Sequence, residues 1–239
     1  MKWLDNFLRK IKEGIEEEAS LEKEIYALKE KLKPFEEKQK EQEFADKINN
    51  KYTISPIIYT AREDKIKFDV RNFITPHDYI LQNIVDVNKL TGKNNDETAF
   101  NCMKYVIDNF KWVSDSEQFG FKEHWDFPAE VLNRGKCDCE GGCHLIVSLM
   151  ITAQIPSYRI KAACGIVDIG KERFGHSYPI YLRESDNEWV QMDWCVYPNL
   201  IPVEKRILAK ANKVYKEIWF TFNDTLSWAQ KKIEIEGGL

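Results

Sequence analysis

Long apolar runs are missing from this chain of 239 residues. Nothing in it approaches the roughly 18 consecutive apolar residues of a membrane span, so no spanning helix is expected. An excess of basic charge is missing as well. Lys and Arg total 35 against 39 Asp and Glu, a net charge of -4. That gives no electrostatic footprint for nucleic acid and no basic face for an anionic membrane. The opening MKWLDNFLRKIKEGIEEE is amphipathic, with no apolar core and no small-residue cleavage site, so no secretory signal is read there and a reducing cytoplasm is the expected location. Histidine is scarce too: His77, His124, His144 and His176 are all there is.

What is present is the composition of a folding protein, 43% hydrophobic, 31% charged and 13% aromatic. Six cysteines occur, but a chain of this size needs no disulfides to hold a core, and in a reducing compartment the thiols are expected free. Three of the six crowd into GKCDCEGGCHL, Gly135 to Leu145. A metal knot, a disulfide staple or one reactive thiol with two bystanders would each account for that stretch.

Residues 1–50 differ in texture from the rest. About half are charged, of both signs. Leu4, Leu8, Ile11 and Ile15, then Leu21, Ile25, Leu28, Leu32 and Phe35, form a narrow apolar stripe in two registers. The step from Ile15 to Leu21 breaks the heptad, and Pro34 should end or kink the helix. Two readings stay open for this arm. It packs on its own domain, or it forms a coiled coil with a second copy or a partner helix. The second unit runs over 51–239. TISPIIYT and KIKFDVRNFI read as strands, and Thr75–Pro76 reads as a helix start. Asp96 is expected to cap ETAFNCMKYVIDNF, and PAEVLNRG is a short helix ending at Gly135. SDSEQFGFKEHWD reads as a polar connection. After Pro156 come the strands YRIKAACGIV, HSYPIYL (behind a flexible KERFG), EWVQMDWCVY and KEIWFTF. A helix-rich half followed by a strand-rich half is α+β.

Asp138 suits an N-cap, which starts a helix at Cys139. Unpaired N–H groups and the helix dipole there are expected to lower the thiol pKa. A nucleophilic thiol needs a base, and the base an orienter. His144 lies five residues on along the same helix and points away from the thiol. His176 opens a strand. If Glu184–Asn187 closes a four-residue hairpin loop, His176 pairs with Cys195 and Tyr178 with Asp193. His176 and Asp193 are then diagonal neighbours on one face, about 7–8 Å apart along the backbone. An odd loop length would part them. Taken singly these signals are permissive: a cysteine in a core helix is more often a small hydrophobe, and Asp193 could be a strand-end cap.

The order WDFPAEVLNRGKCDCE, SLMITAQIPSYRI, FGHSYPIYL and WVQMDW resembles the transglutaminase-like superfamily. The likeness runs from about Trp112 to Pro198, a little over a third of the chain. It implies a papain-like core, a central helix carrying the cysteine on an antiparallel sheet carrying His and Asp. By the same match Cys139 is the nucleophile, His176 the base and Asp193 the orienter. The chain departs from the family pattern at Cys137, in place of a glycine, and at Gly141 and Gly142, in place of an acidic residue and its neighbour. Gln154 stands where a helix-ending glycine is common, and Ser177–Tyr178 stands in place of Ala–Trp. These bear on pocket shape.

Zinc ligation by Cys137, Cys139, Cys143 and His144 lacks a second short-spaced pair, so no metal is expected. A Cys137–Cys139 disulfide would be strained. Cys143, Cys164 and Cys195 read as core or strand residues. No cofactor is expected. The expected activity is attack of a thiol on an amide of a protein or peptide substrate, through a thioester, with hydrolysis favoured over transamidation. Neither nucleic acid nor membrane is an expected partner. Cys139 N–H should be one oxyanion donor; Trp112 and Trp125 are open as groove walls or the second donor. The alternative is an assembly protein, of the kind phages encode, that uses such a domain with an idle triad beside its coiled-coil arm.

Overall fold

The computed structural model describes residues 21, 23–33, 36, 39, 52–60, 62, 66–196, 198 and 200–230. The chain divides into two compact units, Met1–Phe44 and Ala45–Leu239. In the first, residues 23–33 are helical, and Leu21, Ile25, Leu28 and Leu32 stand exposed. The earlier stripe from Leu4 to Ile15, together with Pro34 and Phe35, lies outside the described residues.

The second unit is α+β. Its sheet has six antiparallel strands in the order β1 (Tyr52–Ile54), β10 (Ser227–Gln230), β9 (Tyr215–Phe222), β6 (Ile160–Ile169), β7 (Glu172–Leu182) and β8 (Trp189–Gln191). A helix at Cys139–Thr152 packs on β6 and β7. From Glu140 to Met150 this helix is buried all round. The helices Tyr79–Val87, Asn95–Asn109 and Pro128–Arg134 cover its remaining sides. One apolar cluster, from Val70 through Met103, Leu145 and Met150 to Phe222, fills the space between. Among the described residues no helix is long and apolar enough to cross a membrane.

Some expectations shift. TISPIIYT splits at Pro56 into β1 and β2 (Ile58–Tyr59), because proline has no N–H to give a ladder. Among the described residues of KIKFDVRNFI, Phe68–Asp69 are strand (β3), and the chain then turns into a 3-10 helix capped by Asp69. The next helix starts at Tyr79, not at Thr75–Pro76, with Asp78 as its cap, the Asp78 Oδ1 accepting from Ile80 N–H at 2.9 Å, while the Thr75 N–H donates to Ser148 Oγ at 3.0 Å. Asn94, not Asp96, caps the Asn95 helix. Asp96 instead accepts from Tyr181 OH at 2.8 Å and from the N–H groups of Glu184 and Ser185. The polar connection holds a short helix, Asp115–Phe119, ended by Gly120 at φ 82°. Within KERFG only Lys171 is in the turn, and Glu172–Gly175 is strand: β6 and β7 are paired out to Ile169↔Glu172, across a turn with Gly170 at φ 63°.

Candidate active site

A two-strand parallel ladder, β4 (Lys111–Trp112) with β5 (Lys136–Cys137), delivers the chain to the start of the cysteine helix. Gly135 ends the preceding helix in the left-handed region at φ 66°, and Asp138 caps the next, its Oδ1 accepting from Gly141 N–H at 3.4 Å. Cys139 is therefore the first helical residue. The two glycines after it are sterically required. A Cβ on Gly142 would lie 2.1 Å from the Trp194 indole, and one on Gly141 would lie 2.7 Å from Cys137 Cβ. With no side chain in its way, Trp194 lies over the first turn and its Nε1 donates to the Cys139 carbonyl at 3.3 Å.

The β7–β8 register is Ile180↔Gln191, Tyr181↔Val190 and Leu182↔Trp189, the one a four-residue loop dictates. The Met192 N–H extends it by bonding Pro179 O at 2.8 Å. Beyond that point the chain leaves the ladder and Asp193 turns back to the sheet. His176 Nε2 and Asp193 Oδ2 lie 2.7 Å apart, both side chains almost wholly buried. Asp193 Oδ1 accepts from the N–H groups of Cys195 at 3.0 Å and Val196 at 3.1 Å. The Cys195 thiol also reaches Oδ1 at 3.6 Å, and Tyr215 OH donates to Oδ2 at 2.8 Å. Bonds from His176, the Cys195 N–H and Tyr215 hold the carboxylate pKa below the usual range against the burial that raises it, His176 being the strongest.

Cys139 and His176 line one cavity of about 510 Å³, together with Tyr59, Glu123, Trp125, Glu140, Cys164 and Trp219. Trp219 reaches it through a register shift: Cys164 pairs with Phe220 but Gly165 with Ile218, so the intervening residue bulges from β9. The other histidines are elsewhere. His144 is buried under Phe73, with Nδ1 3.0 Å from Asp126 O, and burial lowers its pKa to about 4. His124 sits against the Phe119 ring and Asp126. His77 lines a separate hollow with Gln82 and Gln154. Trp112 is exposed and away from the cavity. Trp125 is a wall, its Nε1 already donating to Glu123 at 2.8 Å.

The expectation of an acidic thiol is overturned. Burial, then the charges of Glu140 and Asp138, push Cys139 well above the ordinary thiol value. Its Sγ donates to Glu140 Oε2 at 2.8 Å. The dipole at this helix start is met by carboxyls, so the local field opposes a thiolate. The acids crowd one another as well. Asp138 is pushed up to about 9, chiefly by burial and Glu140, while Glu140 and Asp115 each rise to about 7 and Glu123 is raised. Sequence reasoning missed Glu123, Glu140, Trp194 and Tyr215, and of these only Glu140, adjacent to the thiol, carried a local signal.

Three groups of ligand-type side chains lie close together among the described residues. His124, Asp126 and Glu130 are already neutralised by the guanidiniums of Arg134 and Arg62. His176, Asp193 and Cys195 are spent on bonds to one another and to the backbone. Asp138, Cys139 and Glu140 form the acidic surroundings of the thiol described above. The thiols of Cys137, Cys139 and Cys143 do not gather into one set. All six cysteines are free.

No protein-family model matches the chain, and no curated protein matches it either. Solved structures similar to it include those of a Legionella pneumophila protein and of a Cytophaga hutchinsonii protein. EGTA-treated LapG of Legionella pneumophila is 16% identical at a TM-score of 0.47, over 63% of this chain and 74% of that one. Calcium-bound LapG gives 14% and 0.40, over 64% and 88%. A Cytophaga hutchinsonii protein provisionally described as a cysteine protease gives 14% and 0.37, over 77% and 64%.

Proposed function

We propose that the chain is a thiol enzyme acting on amide bonds, a peptidase or amidase, with Cys139 as nucleophile, His176 as base and Asp193 as orienter. The observation that carries this is the buried His176–Asp193 pair at 2.7 Å, whose imidazole opens on the cavity that Cys139 also lines. Because Nε2 is held by Asp193, Nδ1 is the nitrogen left for the thiol proton. The raised thiol makes that transfer part of the reaction rather than a resting condition. As substrate fills the cavity and displaces water, Cys139 passes its proton to His176 and the sulfur attacks the carbonyl carbon. The imidazolium, stabilised by Asp193, protonates the leaving amine as the C–N bond breaks. Water, deprotonated by His176, then splits the thioester to a carboxylic acid and restores the thiol. The Cys139 N–H, at the first helical position, is suited to hold the oxyanion. An amine in place of water would give transamidation. Hydrolysis is the preferred reading, as the family resemblance favours peptidases.

One feature favours an alternative, an assembly or interaction domain with an idle site: burial, then the neighbouring Glu140 and Asp138, disfavour a Cys139 thiolate. A peptide-library digest separates the two. New termini should appear with the wild type and vanish with Cys139→Ala. Identical spectra from both proteins would sink the enzyme reading.

A further inference from the structure

Resting on that reading, we infer that Tyr215 is a positioning residue of the site, fixing the Asp193 carboxylate so that Oδ2 meets His176. Tyr215 lies on β9, outside the stretch that resembles the superfamily and 22 positions from its partner. Its hydroxyl reaches Asp193 Oδ2 at 2.8 Å, the same oxygen that His176 Nε2 meets at 2.7 Å. Its ring packs on Tyr178 with centroids 4.4 Å apart, and Tyr178 in turn stacks on the His176 imidazole at 5.6 Å. One side chain thus braces both members of the pair, the acid by a hydrogen bond and the imidazole through a ring.

The strand is shaped for this. The β6–β9 register slips once between Cys164 and Gly165 and again between Ile166 and Val167, so that Val167 faces Tyr215. Gly165 is what lets the strands close there, since a Cβ would lie 1.9 Å from Glu217 O. A strand bulged twice within a few residues turns side chains that a regular ladder would send elsewhere. The first slip aims Trp219 at the cavity, and the second sets Tyr215 beside Asp193. Tyr215 also lines a second cavity of about 740 Å³.

Asp193 faces His176 and Tyr178 from β7, Tyr215 from β9, Cys195 in its own turn, Cys143 on the helix and the Arg206 guanidinium. Burial and Asp193 push the Tyr215 hydroxyl upward, so it stays a neutral donor at working pH. A neutral donor on Oδ2 does two things. It stops the carboxylate from rotating, and it shares the charge that would otherwise serve the imidazolium alone.

The test follows Cys139 alkylation by iodoacetamide against pH, read by peptide mass, in the full chain. Wild type, His176→Ala, Tyr215→Phe, Asp193→Asn and the Tyr215→Phe/Asp193→Asn double variant are compared. Tyr215→Phe keeps the ring and removes the hydroxyl. It should slow alkylation about three- to tenfold near neutral pH and raise by several tenths of a unit the pH at which the imidazolium-linked limb falls. In the Asp193→Asn background the same substitution should have no further effect. An unmoved limb, an equal loss in both backgrounds, or a Tyr215→Phe protein that does not fold would each overturn the positioning role. If instead His176→Ala leaves the Cys139 profile unchanged, the thiol–imidazole reading itself fails.

Discussion

Asp193 accepts from His176, Tyr215, the Cys195 thiol and two backbone N–H groups, and no substitution elsewhere removes the last two. Asp193→Asn should therefore fold, keep an acceptor for the turn, and lose the charge that favours the imidazolium. Turnover is expected to fall roughly 10²- to 10⁴-fold, short of the complete loss in Cys139→Ala. Activity at the wild-type level in a steady-state assay would assign the orienting role to another residue. Gly142 gives a second residue-scale expectation. Alanine there requires the Trp194 ring to move, which breaks its bond to the Cys139 carbonyl. A loss of about 1–3 kcal/mol in urea unfolding is expected from overpacking, with slower alkylation of Cys139. An unchanged midpoint would show that the indole swings aside freely.

At the scale of elements, the cysteine helix was legible because its signals are local: Gly135 behind it, Asp138 as cap and an apolar run of the right length. The β7–β8 register is the one a four-residue loop gives, one of the loop parities the sequence left open, and the pairing stops at Met192, short of the His176–Cys195 and Tyr178–Asp193 pairs that loop implied. Asn94 and Asp96 are both good caps, and what separates them is Asp96's bonds to Tyr181, Glu184 and Ser185, some 85 or more positions away. Separation in sequence hid Tyr215 and Trp194 as well, 22 positions from Asp193 and 55 from Cys139, since a side chain that works across the fold leaves no periodic trace. The dipole argument at Cys139 failed for a related reason. It counted backbone N–H groups and not the acids that the fold packs around them. Those acids make a prediction about the helix start. The folded value of Asp138, about 9, lies above its unfolded one, so the native state holds a proton that the unfolded chain releases. Stability then falls as pH rises from the ordinary carboxyl range toward 9. Asp138→Asn keeps a good cap and removes the charge. Unfolding free energies from urea curves at pH 5 and pH 8 should differ by up to about 4 kcal/mol in the wild type and by clearly less in the variant, with Glu140 and Asp115 supplying the remainder. An unaltered slope in Asp138→Asn would place the burden on those other acids.

For the whole molecule, the question is what the first unit contributes. The apolar cluster that fills the second unit draws its buried members from Val70 to Phe222, and the small cluster of Tyr52 and Trp228 closes the β1–β10 edge. Every side chain proposed for the chemistry lies within these limits. β1 is needed, since its ladder covers Trp228 and the Ser55 carbonyl accepts from Ser227 Oγ at 2.6 Å. A truncation must therefore stop short of Tyr52, and removing residues 1–48 does so. In the described part of the first unit, by contrast, Leu21, Ile25, Leu28 and Leu32 stand at least half exposed on a helix whose stripe is too narrow to be a core of its own. Such a face gains free energy only against a partner helix, and a lone helix with so little burial is marginal. The truncated protein is expected to melt cooperatively within a few degrees of the full chain and to keep its Cys139 alkylation rate. Its mass by light scattering should fall to that of a monomer if the full chain self-associates through the arm. A truncated chain that is unfolded by circular dichroism would instead place residues before Tyr52 in the core of the second unit, and the boundary between the two units would have to move toward the N-terminus.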